Sequence, residues 1–384
     1  MPKGVVLMAV HNGMPYLPLA IESILSQTYE DFEFLIVNDR STDETRDVVL
    51  GYCDSRIRLI DNQENIGQTR SLNRGLSETR CELVARMDDD DVSHPQRLER
   101  QVRFLEEHSE VAVVGSNLTF IDAGGQEIGG WTYPEHDLAL RWLQLFACPV
   151  SNGAAMFRRD VVWDKLGGYD GEIAISQDWE LWGRVLVGDK LANLPESLLQ
   201  VRRHPNQETL VRQEAMWREL SKISRRNPRL IIEGVGESEE WLTKTELLPH
   251  GAHQARRRCP REFLEMVEEL YLKFCERYPD ATEDQGVRRE LASQYFAAAD
   301  SCGPWHLPTA LRALWKAKHT SPMGMFVYRL LRWPAMSLGA KQAEAWLLQR
   351  PRLHAWIGRV QAWVLGTRRG VAQGSIQPSR HAAP

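Results

Sequence analysis

Four consecutive carboxylates, Asp88, Asp89, Asp90 and Asp91, follow the run Leu83-Val84-Ala85-Arg86-Met87. Adjacent anions do not all ionise cheaply without a cation. A cluster of hard oxygen donors suits Mg2+ or Mn2+. The preceding run reads as a strand, and Ser93 with Gln96 reads as a capping box opening the next helix. In an open α/β sheet, ligands bind at the carboxyl ends of strands. An Asp run in a solvated loop would only feed negative charge into a helix N-terminus. The position at a strand end favours the metal.

The elements that must hold this run follow a regular pattern. Val5 to Val10 and Phe32 to Val37 are continuous apolar strands, and Arg56 to Ile60 alternates. Between them, Leu17, Ala20, Ile21, Ile24 and Leu25 share one helical face, and Ser41 with Glu44 reads as a capping box for a helix through Val48, Val49 and Tyr52. A helix over Ile66 to Leu76, a second over Gln96 to Glu107 and a strand over Val111 to Val114 complete the series. Strands alternating with helices predict an α/β fold with a mostly parallel central sheet flanked by helices. Continuous apolar strands fit a sheet covered on both faces.

Six segments in order resemble one family. Val5 to Asn12 resembles the first strand and turn of a family 2 glycosyltransferase, with His11 in place of an aromatic residue. Ala20 to Tyr29 is similar to the family helix, and Phe34 to Asp43 to its Val-Asp-Asp-Gly-Ser-Thr-Asp segment. Asn65-Ile66-Gly67 with Arg70 and Met87 to Asp91 match the Asn-Leu-Gly turn with its arginine and the extended DXD motif, and Gln177 to Trp182 resembles the Glu-Asp-Tyr-Asp-Leu-Trp block. The resemblance covers residues 4 to about 205. It implies a GT-A nucleotide-sugar-binding fold of the non-processive bacterial type; the residues beyond it read as a C-terminal helical extension.

The resemblance also implies roles. Ala9, His11, Asn12, Asp39, Arg70, Asp88 and Asp89 fall at nucleotide-sugar-binding positions, with Asp39 on the base and Arg70 near the diphosphate. Asp90 and Asp91 fall nearest the metal, and His204 matches a histidine able to reach the phosphate or the ion. The alternatives are ordinary: Asp39 as a turn residue beside Ser41, Arg70 as a surface arginine, His204 as a surface residue before Pro205. A general base must stand apart from the metal cluster. Asp178 heads the stretch Trp179, Leu181, Trp182, Val185 and Leu186, where nearby aromatics would raise its pKa toward the working range. Asp178 could equally cap that helix. Gln177 replaces the family's acidic neighbour, and Asn152 stands where relatives often carry histidine.

The expected activity is inverting transfer of one sugar from a nucleotide sugar, with UDP as carrier, to a hydroxyl of a glycan or lipid-linked acceptor in surface-polysaccharide synthesis. A metal-dependent nucleotidyltransferase or phosphohydrolase would also use clustered Asp residues, and a silent sugar-nucleotide-binding scaffold is a third reading. A processive synthase lacks its Gln-x-x-Arg-Trp motif here, since Arg141-Trp142 precedes Asp178 without the glutamine. No phosphate-binding Gly-rich loop or dinucleotide fingerprint supports ATP-driven or nicotinamide chemistry.

Charge divides the chain. Residues 1–200 hold 18 Lys+Arg against 33 Asp+Glu, a net of −15, and residues 201–384 hold 29 against 19, a net of +10. From 301 onward there are 12 basic residues, Glu344 is the one acid, and six of the 13 tryptophans fall there. Leu353, Trp356, Ile357, Val360, Trp363 and Val364 share a helical face. Such a face suits an anionic membrane interface or packing within the protein; no motif supports nucleic acid. The expected organisation is a catalytic domain over 1–205, a helical region over 206–300, a basic Trp-bearing extension over 301–369 and a disordered tail over 370–384. Six scattered cysteines without metal spacing suggest reduced thiols. The immediate entry into a strand and the lack of a run of ~18 apolar residues suggest a cytoplasmic protein, peripheral on the inner membrane face if it binds one.

Overall fold

Residues 2–232, 235, 247, 259–302 and 306–320 are described by a computed structural model. Its core is a nine-stranded sheet. β1 (Gly4–Val10) is buried along its whole length, as its β-branched, uncharged sequence requires. β2 (Phe32–Asn38) lies parallel on one side of it, with β3 (Ile57–Asp61) beyond, and β4 (Leu83–Arg86) lies parallel on the other side. The chain winds outward from β1 and then returns to β1's opposite flank. That reversal makes a crevice at the strands' carboxyl ends. The register fixes what enters the crevice: Val10 pairs with Asn38, Asn38 with Asp61, and Leu7 with Arg86. The loops carrying His11, Asp39 and the Asp run therefore leave from one edge.

Beyond β4 the sheet is mixed. β8 (Met156–Arg158) is antiparallel to β4 and to β6 (Val111–Ile121), and β6 is parallel to β9 (Lys190–Arg202). β7 (Glu127–Trp131) turns back on β6, and β5 (Val92–Ser93) pairs with Leu199 and Gln200. Both expected capping boxes fail. Ser93 sits in β5, and α4 (Arg97–Glu107) starts without a side-chain cap. Ser41 Oγ instead accepts the Asn12 N–H at 3.0 Å, and α2 (Thr45–Gly51) also lacks a side-chain cap. Ser93 donates its N–H to Ser23 Oγ at 3.0 Å, so a partner distant in sequence replaces the local one in each case.

The parallel half is flanked by α1 (Leu17–Leu25), α2, α3 (Gln68–Glu78) and α4. Ala20, Ile21 and Ile24 of α1 are fully buried, matching the face expected. α5 (Asp137–Gln144) and α6 (Gln177–Val185) cover the mixed half. Helices then follow: α7 (Glu208–Val211), α8 (Gln213–Ile231), α9 (Pro260–Arg277), α10 (Gln285–Ser301) and α11 (Leu307–Thr320). Trp142 of α5, fully buried, meets Tyr271 and Phe274 of α9 edge-on at 5.8 and 5.3 Å between ring centroids. Aromatic pairs in such geometry contribute ~0.5–1.5 kcal/mol beyond area burial. α10 and α11 pack on each other. Among the described residues, no helix is long and apolar enough to cross a membrane. The expected tail over 370–384 and the amphipathic face from Leu353 to Val364 lie outside the described residues.

Candidate active site

The crevice begins where β1 and β2 end. Ala9 is buried next to the carboxyl end of β1. Asn12 takes the left-handed region, φ 57°, and its side-chain oxygen accepts the Thr42 N–H at 2.8 Å. The exposed His11 ring holds the main-chain oxygen of Asp39 at 2.8 Å from Nδ1. These contacts lace residues 11–12 to residues 39–42. Asp39 is itself buried, and its carboxylate accepts from Asn62 Nδ2 (2.7 Å), Ile66 N–H (2.9 Å) and Gly67 N–H (2.8 Å). Gly67 sits at φ 85°, where a side chain would be strained. Asp39 thus shapes the Asn65-Ile66-Gly67 turn that opens α3. Arg70, in α3's first turn, is exposed; its Cγ lies 3.5 Å from the point a Cβ on Gly171 would take.

The Asp run sits over three buried guanidinium groups. Arg86, Arg97 and Arg202 are at most 2% exposed. Arg86 donates to Asp88 Oδ1 at 2.6 Å and to the main-chain oxygen of Met87. Arg97 donates to the main-chain oxygen of Arg86. Arg202 donates its N–H to Asp91 Oδ1 and its Nε–H to the Asp90 main-chain oxygen, both at 2.9 Å, and lies 4.7 Å over the Tyr16 ring. His204 Nε2 is 2.9 Å from Asp90 Oδ2, with its ring 5.0 Å from that of Tyr16.

The electrostatics remain anionic despite these cations. Burial, then Asp90 and Asp88, push Asp89 up to about 8. Burial and Asp88 raise Asp90, against the opposing pull of His204. Burial with Asp90 and Asp88 raises Asp91 well above the carboxylate range. Burial lowers Arg97 to about 10. A divalent ion would relieve the carboxylates. The described residues hold no preassembled group of three His, Cys, Asp or Glu ligands. The donor set nonetheless fits Mg2+ or Mn2+, because such ions are commonly held by one or two carboxylates with substrate phosphates completing the shell.

Asp178 occupies a second anionic centre. It is the second residue of α6, half-buried, and accepts the Trp179 N–H at 2.7 Å. The capping position belongs to Ser176, whose side chain makes no cap bond. Burial pushes Asp178 up to about 6, opposed by hydrogen bonds from Trp179, the Cys148 thiol and the Asn152 main chain. Residues 152–153 stand between the two centres. The Asn152 main chain meets Asp178. The point a Cβ on Gly153 would take lies 2.7 Å from Asp88 Oδ2 and 3.3 Å from Asp91 Oδ2. Only glycine leaves the Asp run its place. Asn152 Oδ1 accepts from Tyr169 Oη at 3.0 Å. A bridge of amides closes the circuit: Gln177 Nε2 donates to Gln68 Oε1 at 2.9 Å, and Gln68 Nε2 to Asp88 Oδ1 at 3.3 Å.

The structure therefore brings Asp88 to Asp91 together with His204, seats His11, Asn12 and Asp39 at the neighbouring strand ends, and sets Asp178 across Gly153. Sequence reasoning missed the three buried arginines, Gln68 and Tyr16. One signal was visible: Arg86 interrupts a strand otherwise buried on both faces.

A sheet that reverses at β1, with a carboxylate run at its carboxyl edge, defines the GT-A class of nucleotide-sugar-binding folds. The S. aureus TarS 1–349 structure shares it: the structure in complex with UDP-GlcNAc aligns at TM-score 0.51 and 15% identity, covering 83% of this chain and 92% of that one. The family model for glycosyl transferase family 2 matches residues 5–166. An uncharacterized glycosyltransferase of Haemophilus influenzae is 30% identical over 257 residues, 64% of this chain and 80% of the relative. The O-antigen biosynthesis glycosyltransferase WbnJ of Escherichia coli is 34% identical over 206 residues, 52% of this chain and 79% of WbnJ. The chain belongs to glycosyl transferase family 2, and it is a glycosyltransferase.

Proposed function

We propose that this glycosyltransferase moves one sugar, with inversion, from a UDP-sugar to an acceptor hydroxyl in surface-polysaccharide synthesis. The observation that carries the reading is the pair of anionic centres on either side of Asn152 and Gly153. One is a carboxylate cluster fit for a cation and a diphosphate. The other is a lone carboxylate, Asp178, held near the pH at which it can take a proton. The acceptor oxygen attacks the anomeric carbon, Asp178 takes its proton, and the bond to the β-phosphate oxygen breaks on the opposite face. One displacement inverts the anomeric centre. Asp90, Asp91 and His204 would hold Mg2+ or Mn2+, whose contribution is to stabilise charge on the leaving diphosphate as a Lewis acid. Ala9, His11, Asn12 and Asp39 would bound the base and ribose, and Arg70, Asp88 and Asp89 the diphosphate and sugar.

Support for the donor comes from family membership and from the fold shared with a UDP-GlcNAc complex. Support for the acceptor class comes from the O-antigen role in the name of the E. coli relative. A peripheral position on the inner membrane face, through 301–369, belongs to the same proposal. Within that segment Leu311 and Trp315, one turn apart on α11, are 58% and 57% exposed. Slow hydrolysis of a panel of nucleotide sugars, with Mn2+, Mg2+ or excess EDTA, tests the reading. A UDP-sugar consumed only with metal is expected; no consumption of any donor, or equal consumption in EDTA, overturns it.

A further inference from the structure

The helix that carries Asp178 begins without a cap of its own. The first N–H groups of a helix, and those of the segment leading into it, have no intrahelical acceptor. At α6 the acceptor comes from α8, more than forty residues downstream. Glu219 is 8% exposed. Its carboxylate accepts the N–H groups of Ala174 at 2.8 Å, Ile175 at 3.0 Å and Ser176 at 2.9 Å. Three such bonds to an ionised acceptor are strong and directional, and the negative charge sits where the α6 dipole favours it.

A second attachment lies one turn along. Arg226, also on α8, donates to Glu180 Oε1 at 2.6 Å and to the Glu180 main-chain oxygen at 3.0 Å. Glu180 is buried and shares its charge with Arg184 at 2.8 Å. Ile223 of α8 packs with Ile173 and Trp179, and Leu220 lies against them. On the other side, Thr69 of α3 donates to the Ile173 main-chain oxygen at 2.8 Å. Asp178 therefore stands between two grips of α8, at 174–176 and at 180, with α3 steadying the approach.

We propose that Glu219 is a positioning residue for the transfer step: by collecting three N–H groups ahead of α6 it sets where the Asp178 carboxylate stands relative to the Asp run. The inference rests on the reading of Asp178 as the base. It makes α8 part of the catalytic apparatus although it lies past the segment that resembles the family. An uncharged amide at 219 offers one acceptor oxygen and an NH2 group that faces donors, so the segment must shift.

The test uses the full-length protein with Glu219→Gln and Glu219→Asp, and Leu264→Ala in α9 as a destabilised control away from the site. Two readouts are taken: amide hydrogen exchange at residues 174–176, and kcat, donor KM and the pH profile of turnover. Glu219→Gln is expected to raise exchange at those amides at least tenfold and to lower kcat about tenfold or more. It should displace the acid limb of the profile and leave donor KM within twofold. Glu219→Asp should recover part of kcat, and Leu264→Ala should keep the wild-type profile. Unchanged exchange at 174–176 overturns the inference, and so does wild-type kcat with a wild-type profile in Glu219→Gln. A kcat loss matched by Leu264→Ala at equal thermal stability reduces Glu219 to a stability role and also overturns it. If the wild type consumes no donor, the functional reading fails and this inference falls with it; if the wild type turns over, the inference stands or falls alone.

Discussion

Replacing Asp178 with Asn should damage catalysis and improve stability in the same protein. The substitution keeps the shape and the acceptor toward Trp179 but removes the charge. Burial raises the Asp178 carboxyl from 3.8 to about 6. At ~1.36 kcal/mol per pKa unit, the ionised carboxylate costs the fold at most about 3 kcal/mol. Because the group is half-buried and water screens it, about 1–2 kcal/mol is the better figure. The sign follows from linkage. Below the unfolded pKa both states hold the proton and there is no penalty. As pH rises toward the folded value, the unfolded chain releases its proton first, so stability falls and the penalty is complete above about pH 6. Asp178→Asn should therefore melt a few degrees higher than wild type at pH 7.5 and equal to it near pH 3.5, if both remain folded there. Over the same comparison, transfer should fall by roughly 10²-fold or more, the scale of a lost general base. Wild-type turnover should lose activity as pH drops through about 6. Calorimetry at two pH values and a coupled assay for released nucleoside diphosphate read both effects. Near-normal turnover would show that another group takes the proton, and a lower melting temperature at pH 7.5 would refute the electrostatic account of the site.

Three other outcomes follow from the same geometry. Asp90→Asn removes the partner of His204 and one anion of the run, so metal-dependent turnover should drop by 10²-fold or more with far-ultraviolet circular dichroism unchanged, and excess EDTA should silence the wild type. Arg86→Leu strips Asp88 of its buried cation and should cost about 3–5 kcal/mol in urea unfolding, whereas Arg103→Ala, an exposed helix pair with Glu99, should cost less than about 1 kcal/mol. Deleting residues 341–384 should weaken sedimentation with anionic vesicles at low salt, and salt should do the same to the intact chain; absence of vesicle binding by the full-length protein removes the membrane reading.

The parallel half of the sheet was legible because its strands are uninterrupted apolar runs and its helices show a clean 3.6-residue period. Ala20, Ile21 and Ile24 are buried as their spacing demands. The carboxyl-edge position of the Asp run followed from counting strands, and the raised Asp178 from its aromatic neighbours. The mixed half was less legible. β9 carries Pro195 and Glu196 in its middle, which reads as a loop until β6 supplies the pairing. Ser41 and Ser93 satisfied a local capping rule, yet Ser41 bonds the loop residue Asn12 and Ser93 gives its N–H to Ser23 of α1, both distant in sequence. Asp39 was read as either base contact or turn residue, and its three donors across 23 to 28 residues belong to no local pattern. Glu219 gave no signal, since a helical glutamate is ordinary until α6 is seen to lack a cap.

The arginines beneath the Asp run have a consequence for how this corner of the molecule is assembled. Arg86, Arg97 and Arg202 come from β4, α4 and β9, three pieces made at different times during synthesis. Arg86 pairs with the Asp88 carboxylate, Arg97 holds the Arg86 main-chain oxygen, and Arg202 holds the Asp90 main chain and gives its N–H to Asp91, so the run has all these partners only when β9 lies alongside β6. The ribosome has by then delivered the whole sheet. A chain that ends short of Arg202 lacks the N–H that the Asp91 carboxylate accepts and the guanidinium that holds the Asp90 main chain. The seating of the Asp run thus depends on β9, the last of the sheet's strands in sequence.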